Sequence, residues 1–414
     1  MAKAIIIGAG IIGLSSAYYL QQSGWEVTVL EKGDLSDNCS FGNAGMIVPS
    51  HFVPLAAPGM LEKGIKWMFN SKSPFYVRPS LNMELVGWGL KFMKSANKQQ
   101  ADRAAVPLRD ISLLSKDLYA DLTKKIGDFG LTNNGILMLF KTDKVGEEEL
   151  HIAEQARNLG LDVASLSAEE AQKLQPDVKL NVKGAVHYRC DAHLNPNQLL
   201  AVLQEYLLKA GVKIIKNTEV TKIIQENGKI TKVIGGNKEY AADHFVLAGG
   251  SWSPEIAKLA SFKIPMMPGK GYSFLVNDTK KNMHIAALLC EAKVSVTPMG
   301  GRIRFGGTME IDAINDRINM NRVRGIVESI PQYFPDLQPE LPATNDIWFG
   351  FRPCSPDGLP YIGNSKILKN LTVATGHGMM GVSLGPATGK LVSELVNETT
   401  LSMDIQPFSA NRFS

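Results

Sequence analysis

Gly8-Ala9-Gly10-Ile11-Ile12-Gly13 near the start of the chain fits the pattern G-x-G-x-x-G. Glycines at these positions let a backbone turn approach a pyrophosphate, whose charge then meets the N-terminus of the following helix. Glu31 lies at the end of the next apolar run, about 20 residues on, where a carboxylate hydrogen-bonds a ribose and repels a 2′-phosphate. Two later turns have related chemistry. Ala248-Gly249-Gly250 follows an apolar run, and Gly376-His377-Gly378-Met379-Met380-Gly381 precedes the last helical stretch. The second of these can aim a helix N-terminus at a flavin carbonyl, where negative charge grows on reduction. The first motif does not separate FAD from NAD; the two later ones favour FAD. Each turn taken singly also fits an ordinary strand-to-helix connection that holds no ligand.

The elements around these turns supply the context they need. Residues 4–7 read as a short buried strand, 11–23 as a helix stopped by Gly24, and 26–30 as a second strand, which makes a βαβ unit at the very start. Residues 43–80 are irregular and rich in Pro and Gly, a length of loop that usually carries function. Apolar positions at Leu108, Ile111, Leu114, Leu118 and Leu122 have helical spacing, and 136–140 reads as a strand. Asn195-Pro196 starts a helix that stops at Gly211. Strands follow at 212–215, 220–224, 230–234 and 244–247, with a hairpin at Asn227-Gly228. Residues 264–311 are dense in β signals, with Gly300-Gly301 as a turn. Residues 319–329 read as a helix, 371–374 as a strand, and a last helix runs to about 396. The expected fold is therefore α/β and α+β. A Rossmann-like domain is expected from residues 1–50, 185–262 and 345–414. A second, antiparallel or mixed β-sheet domain with an insert is expected from 51–184 and 263–344.

Composition narrows the class. The chain has 414 residues, 44% apolar and 20% charged, with a net charge of +4. That is ordinary for a soluble globular protein, and the scattered basic residues form no nucleic-acid arm. Cys39, Cys190, Cys290 and Cys354 form no Cys-x-x-Cys pair, so neither a zinc site nor any other metal site is expected. No stretch approaches the roughly 18–20 apolar residues of a membrane span. A reducing, cytoplasmic setting is expected.

Five ordered segments together resemble a known family. They are Gly8–Gly13 with Glu31; Ser40-Phe41-Gly42-Asn43-Ala44-Gly45-Met46; Leu55-Ala56-Ala57-Pro58-Gly59; Gly350-Phe351-Arg352-Pro353 leading to Pro356-Asp357-Gly358-Leu359-Pro360; and Gly376-His377-Gly378. Over nearly its whole length the chain resembles the D-amino-acid oxidase and glycine oxidase superfamily, and most nearly the bacterial D-amino-acid dehydrogenases. The resemblance implies non-covalent FAD, with contacts at Gly8, Gly10, Ile11, Ile12, Gly13, Glu31, Lys32, Ser40, Asn43, Ala44, Gly45, Met46, Val220, Gly249, Trp252, Gly378, Met379, Met380 and Gly381. It implies that Arg352 holds the carboxylate of a small amino-acid substrate; the alternative for that residue is a surface ion pair. Tyr272 resembles a position near the substrate, or else is a half-buried strand tyrosine. His51 departs from the tyrosine-containing segment of relatives and is either a pocket residue or a structural one. Cys354 lies too close to Pro356-Asp357 to match a flavin-attachment cysteine.

The implied reaction is hydride transfer from the α-carbon of a D-amino acid, proline or hydroxyproline among the candidates, with a quinone or carrier as acceptor. A glycine or sarcosine oxidase using oxygen, and a flavin-binding sensor or assembly subunit without turnover, remain open as alternatives. Residues 84–95 mix Leu85, Val86, Trp88, Leu90, Phe92 and Met93 with Lys91 and Lys94, and Trp67 lies upstream. That segment is either a membrane-surface helix, giving peripheral contact with the inner face of the membrane, or a helix packed on the second domain.

Overall fold

The computed structural model describes residues 1–56, 74–78, 82–277 and 282–413. The opening βαβ unit forms as expected: strand Lys3–Ile7, helix Ile11–Gln22 and strand Glu26–Leu30. Near-continuous apolar runs such as Ala-Ile-Ile-Ile suit strands buried on both faces. These strands lie at the centre of a six-stranded sheet. Its order is Tyr361–Asn364, Leu371–Thr375, His244–Leu247, Lys3–Ile7, Glu26–Leu30, Lys213–Ile215. All its pairs are parallel except the one at the Tyr361–Asn364 edge.

Helices Ile11–Gln22, Pro196–Lys209 and Gly381–Val396 contribute to the core on one face of this sheet. Helix Ser253–Leu259 and a three-stranded antiparallel sheet (Val220–Glu226, Lys229–Gly235, Lys238–Ala241) contribute to the core on the other. Helix Gly381–Val396 lies against Ile11–Gln22 so closely that a Cβ on Gly389 would fall 2.5 Å from Ser15 C. A Cβ on Gly385 would meet Ile11 at 2.9 Å. The two helices therefore run side by side with their N-termini together, which two glycines permit and larger residues would prevent.

A nine-stranded mixed sheet carries the second core. Its main path is Trp348–Cys354, Met267–Val276, Ile303–Ile311, Val294–Pro298, Ala286–Leu289, Ile136–Phe140, Gly184–Tyr188, Val163–Ser167, and Phe75–Val77 pairs alongside Ile303–Ile311. Helix Met320–Tyr333 contributes Val323, Ile326 and Ile330 to the core against this sheet. The boundary expected at 184/185 falls inside strand Gly184–Tyr188, which pairs with Ile136–Phe140 and Val163–Ser167. The correction is physical, because an interior strand bonded on both sides belongs with its neighbours.

The expected hairpin turns are present, with positive φ at Asn227 and Gly228 and at Gly300 and Gly301. Helix Lys98–Ile126 begins earlier than its apolar spacing predicts. Asn97 caps it, accepting from Gln100 N–H at 2.9 Å. Among the described residues no helix is long and apolar enough to cross a membrane.

Candidate functional site

A cavity of about 1410 Å³ lies where the two sheets meet, lined by residues of both. On the six-stranded side its wall begins at the first glycine turn. Gly8 takes φ +107°, and a Cβ there would fall 2.5 Å from Ala248 O. At Gly10 a Cβ would find only Ser40 Oγ, 3.7 Å away, so a ligand can approach the backbone here. Gly10 caps the helix without a side-chain hydrogen bond, and the first turn carries no acidic residue. That leaves a positive helix end for an anion. Ser40 Oγ accepts from Ile11 N–H at 3.2 Å, tying the 40–45 loop to this helix end.

Glu31 orders the same turn. Its Oε2 accepts from Ala9 N–H at 2.7 Å and its Oε1 from Gly33 N–H at 2.8 Å. A carboxylate oxygen has a further lone pair for a hydroxyl. Beyond it, Lys32 Nζ lies 3.3 Å from the centroid of the Trp252 ring, and burial lowers the pKa of this lysine. Val220 and Gly249 complete this end of the wall. At the other end Gly378, Met379, Met380 and Gly381 lead into helix Gly381–Val396, which also has no acidic residue in its first turn.

The 40–45 loop forms the junction between the sheets. The Asn43 side chain accepts from Gly45 N–H at 2.8 Å. Arg304, buried in the nine-stranded sheet, donates to Phe41 O at 2.9 Å, Asn43 O at 2.7 Å and Asn197 Oδ1 at 2.7 Å. Ser273 Oγ donates to Gly42 O at 2.8 Å. The Trp348 ring lies against Gly42, where a Cβ would fall 2.0 Å from it, and its indole N–H reaches Asp37 at 2.8 Å. Sequence reasoning missed Arg304, Ser273 and Trp348. The one available signal was a charged residue between Ile303 and Phe305 in an otherwise apolar, glycine-rich run.

Arg352 projects from strand Trp348–Cys354 into the cavity wall. One of its amino groups donates to Thr308 O at 2.7 Å. Gly271, on the neighbouring strand, makes the room: a Cβ there would fall 2.0 Å from the guanidinium Nη1. Thr308 holds φ +61°, a costly conformation for a β-branched residue, and its carbonyl is the one that Arg352 uses. Among the described residues no carboxylate pairs with Arg352, and burial lowers its pKa. Phe75 pairs with Met309 one residue beyond Thr308, and Val53, Pro54 and Leu55 line the same cavity.

Three expected site residues, Tyr272, Gly13 and Gly45, take part in packing. Tyr272 belongs to the core of the nine-stranded sheet. Its hydroxyl accepts from Asn319 N–H at 3.1 Å and lies near Glu310 and Arg322. It lines the cavity and is at the same time a buried strand tyrosine. Gly13 and Gly45 do not line the cavity. A Cβ on Gly13 would fall 1.9 Å from Gly8 O, and one on Gly45 would fall 2.1 Å from Leu194 O. Both are close-packing glycines that shape the turns. The other expected cofactor residues all line the cavity. Of the Leu55–Gly59 motif, residues 57–59 lie outside the described residues, as does Trp67.

His51 lines the cavity, and its half-buried ring meets Ser50 Oγ through Nδ1 at 3.2 Å. Burial, with Lys293 nearby, pushes its pKa down to about 4. Its neighbour Phe52 packs in a core with Phe140, Tyr188 and Cys290. Cys354 is buried, and its thiol is pushed up to about 12 by burial. The residues present fit a dinucleotide laid along two helix ends, with a cation at the far wall of the cavity.

Comparison with known proteins agrees with this geometry. Residues 3–395 match the family described as FAD dependent oxidoreductase (DAO). A protein named D-amino acid dehydrogenase from Helicobacter pylori is 32% identical over 411 residues, covering 99% of this chain and 98% of its own. One of the same name from Vibrio atlanticus (strain LGP32) is 30% identical over 424 residues, covering 99% and 100%. Among solved structures, glycine oxidase from Geobacillus kaustophilus superposes with a TM-score of 0.81 at 23% identity, covering all of both chains. L-proline dehydrogenase from P. horikoshii superposes with a TM-score of 0.76 at 21% identity, covering 100% of this chain and 97% of its own. With its glycine turns, helix ends and buried arginine arranged around one cavity, the chain belongs to the DAO family of FAD-dependent oxidoreductases.

Proposed function

We propose that this protein is a dehydrogenase that oxidises the C–N bond of a small D-amino acid and passes the electrons to a quinone or a carrier protein. The observation that carries the reading is Arg352. A guanidinium at a buried wall, given room by Gly271 and left without a carboxylate partner among the described residues, calls for an anionic ligand. A planar fork of donors suits a carboxylate. FAD, when bound, supplies the two-electron acceptor for hydride from the α-carbon. The protein's own residues bind and orient: the two helix ends hold the dinucleotide, and Arg352 holds the carboxylate. Positioning of this kind accounts for much of such a rate enhancement. The relatives named D-amino acid dehydrogenase support the D configuration.

In this reading FAD is held without a covalent bond, because the Cys354 thiol is buried and hard to ionise. The six-stranded sheet with its helices is the FAD-binding domain, and the nine-stranded sheet is the substrate domain. Helix Met83–Ser95 buries Trp88, whose indole N–H donates to Cys354 O at 2.9 Å. It exposes Met83, Val86, Leu90 and Met93. With Lys94 exposed beside them, this face suits peripheral contact with anionic lipid on the cytoplasmic side, near a quinone pool.

The test is anaerobic mixing of the yellow holoenzyme with a panel of amino acids. Bleaching of the flavin by one or more D-amino acids is the expected result. Failure of every amino acid to bleach it would remove the enzymatic reading, and equal turnover with oxygen and a quinone analogue would remove the proposed acceptor.

A further inference from the structure

His51 is one end of a hydrogen-bonded relay that leads away from the cavity into the protein. Asp191 is fully buried behind it. Its Oδ1 accepts from the backbone N–H of Ser50 at 3.0 Å, and its Oδ2 meets Ser50 Oγ at 2.5 Å. Ser50 Oγ in turn meets His51 Nδ1 at 3.2 Å. Nε2 of His51 has no protein partner among the described residues. None of these contacts was legible in the sequence, where Ser50 and Asp191 are 141 positions apart.

The geometry restricts which atom donates. A serine hydroxyl has one hydrogen. When Asp191 is ionised it can only accept, so that hydrogen points to Oδ2, and Ser50 Oγ can only accept from His51 Nδ1–H. The neutral ring then carries its proton on Nδ1 and a lone pair on Nε2. When Asp191 is protonated the relay reverses. Oδ1 still accepts from the Ser50 amide, so the acid proton sits on Oδ2 and donates to Ser50 Oγ. The serine hydrogen turns to Nδ1, and the ring proton moves to Nε2.

We propose that Ser50 and Asp191 are positioning residues that set the tautomer of His51, so that Nε2 presents an acceptor to an N–H of the substrate amine when Asp191 is ionised and a donor when it is not. The proposal rests on the amino-acid reading above for its ligand, but not for the tautomer itself. Burial pushes the Asp191 pKa up to about 7, opposed by Ser50 and, more weakly, by Cys190 and by Lys116 of helix Lys98–Ile126. Cys190 Sγ approaches Oδ1 at 3.5 Å and Lys116 Nζ bonds to Cys190 O at 2.6 Å. Tyr188 also faces Asp191 and, with Cys290, faces Glu149; Lys293 faces both His51 and Glu149. The depressed basicity of His51 keeps the ring neutral at working pH, so the switch changes the direction of a hydrogen bond rather than the charge of the ring.

Asp191→Asn tests this closely. Its amide oxygen can keep the Ser50 N–H bond, while its NH₂ donates to Ser50 Oγ and fixes the relay in the reversed direction. The ratio of wild-type to Asp191→Asn anaerobic flavin-reduction rates at subsaturating D-amino acid is expected to rise about tenfold between about pH 6 and about pH 8, as one ionisation near 7 demands. The substrate's own titration cancels in that ratio. A flat ratio overturns the proposal.

The second readout needs no turnover. In holoenzyme labelled with ring-¹⁵N histidine, with the His51 signals assigned by His51→Gln, Nε2 is expected to be unprotonated at about pH 8 in the wild type and protonated in Asp191→Asn. Ser50→Ala, which interrupts the relay without adding a charge, is expected to leave the ring insensitive to this titration. The same His51 tautomer in wild type and Asp191→Asn overturns the proposal even where D-amino acids bleach the flavin. Silence of the flavin toward every amino acid, with the tautomer shifted as expected, would instead remove the enzymatic reading and sustain the switch.

Discussion

Arg352 and Gly271 form a pair at residue scale, one filling the space that the other leaves. In the proposed reading Arg352→Ala would leave a substrate carboxylate without its partner, a loss that typically costs about 2–5 kcal/mol. Catalytic efficiency is therefore expected to fall by at least about thirtyfold while FAD stays bound. Gly271→Ala should act in the same direction without removing the charge, because the new methyl would overlap the guanidinium. Steady-state kinetics beside flavin absorbance checks both variants, and unchanged efficiency in Arg352→Ala would take this residue out of the site. Arg352 is legible through the resemblance of Gly350-Phe351-Arg352-Pro353 to the family segment, and the structure places it at the cavity wall. At Tyr272 the two sequence readings meet, since it lines the cavity and is buried in the sheet core. Strand residues alternate between faces, and a shift of one position sends a side chain to the opposite side of the sheet. Nothing in Pro268-Gly269-Lys270-Gly271-Tyr272-Ser273 alone says which of these residues reach the cavity.

Among the elements, the 40–45 loop depends on partners that its own sequence does not announce. Arg304 satisfies two of its carbonyls from another sheet. In Arg304→Met those buried acceptors lose their donor, at a typical cost of about 1–3 kcal/mol. FAD binding is expected to weaken by about tenfold, since each 1.4 kcal/mol is a factor of ten. Fluorescence titration of the apoprotein with FAD measures it, and an unaltered affinity would separate the loop from the cofactor site. Helix Met83–Ser95 makes a separate expectation. Leu90→Glu with Met93→Glu should abolish co-sedimentation with anionic liposomes and leave turnover with a soluble dye intact. Absence of wild-type binding to such vesicles would end the membrane proposal. Helices with capping signals or an apolar stripe were readable, as at Asn195-Pro196. The first turns of Lys98–Ile126 have no such stripe. Strands Val163–Ser167 and Gly184–Tyr188 gave no clear signal of their own, and the partners that bury them come from distant parts of the chain.

For the whole molecule, the decisive relation is between walls contributed by different sheets. The paired helix ends belong to the six-stranded unit, and Arg352 to the nine-stranded one. The sequence shows both groups of residues but not the space between them, which only the packing of the 40–45 loop against Arg304 and Trp348 sets. That space governs stereochemistry. In the proposed reading Arg352 would hold the carboxylate with the α-carbon over the flavin, so that one hydrogen would face the acceptor and the side chain would go to the side that remains. Val53, Pro54, Leu55, Phe75 and Met309 supply apolar cavity lining for a compact, uncharged group. A ring that joins nitrogen to side chain satisfies both demands with few rotors to order on binding, so less entropy opposes it. The expected order of initial rates under a single dye acceptor is D-proline and cis-4-hydroxy-D-proline above D-alanine, with glycine, sarcosine and L-proline lower. Oxidation of L-proline faster than every D-compound would overturn the stereochemical assignment. D-alanine faster than both cyclic compounds would overturn only the preference for a ring, because the constraint from Arg352 and the flavin applies equally to an acyclic D-amino acid.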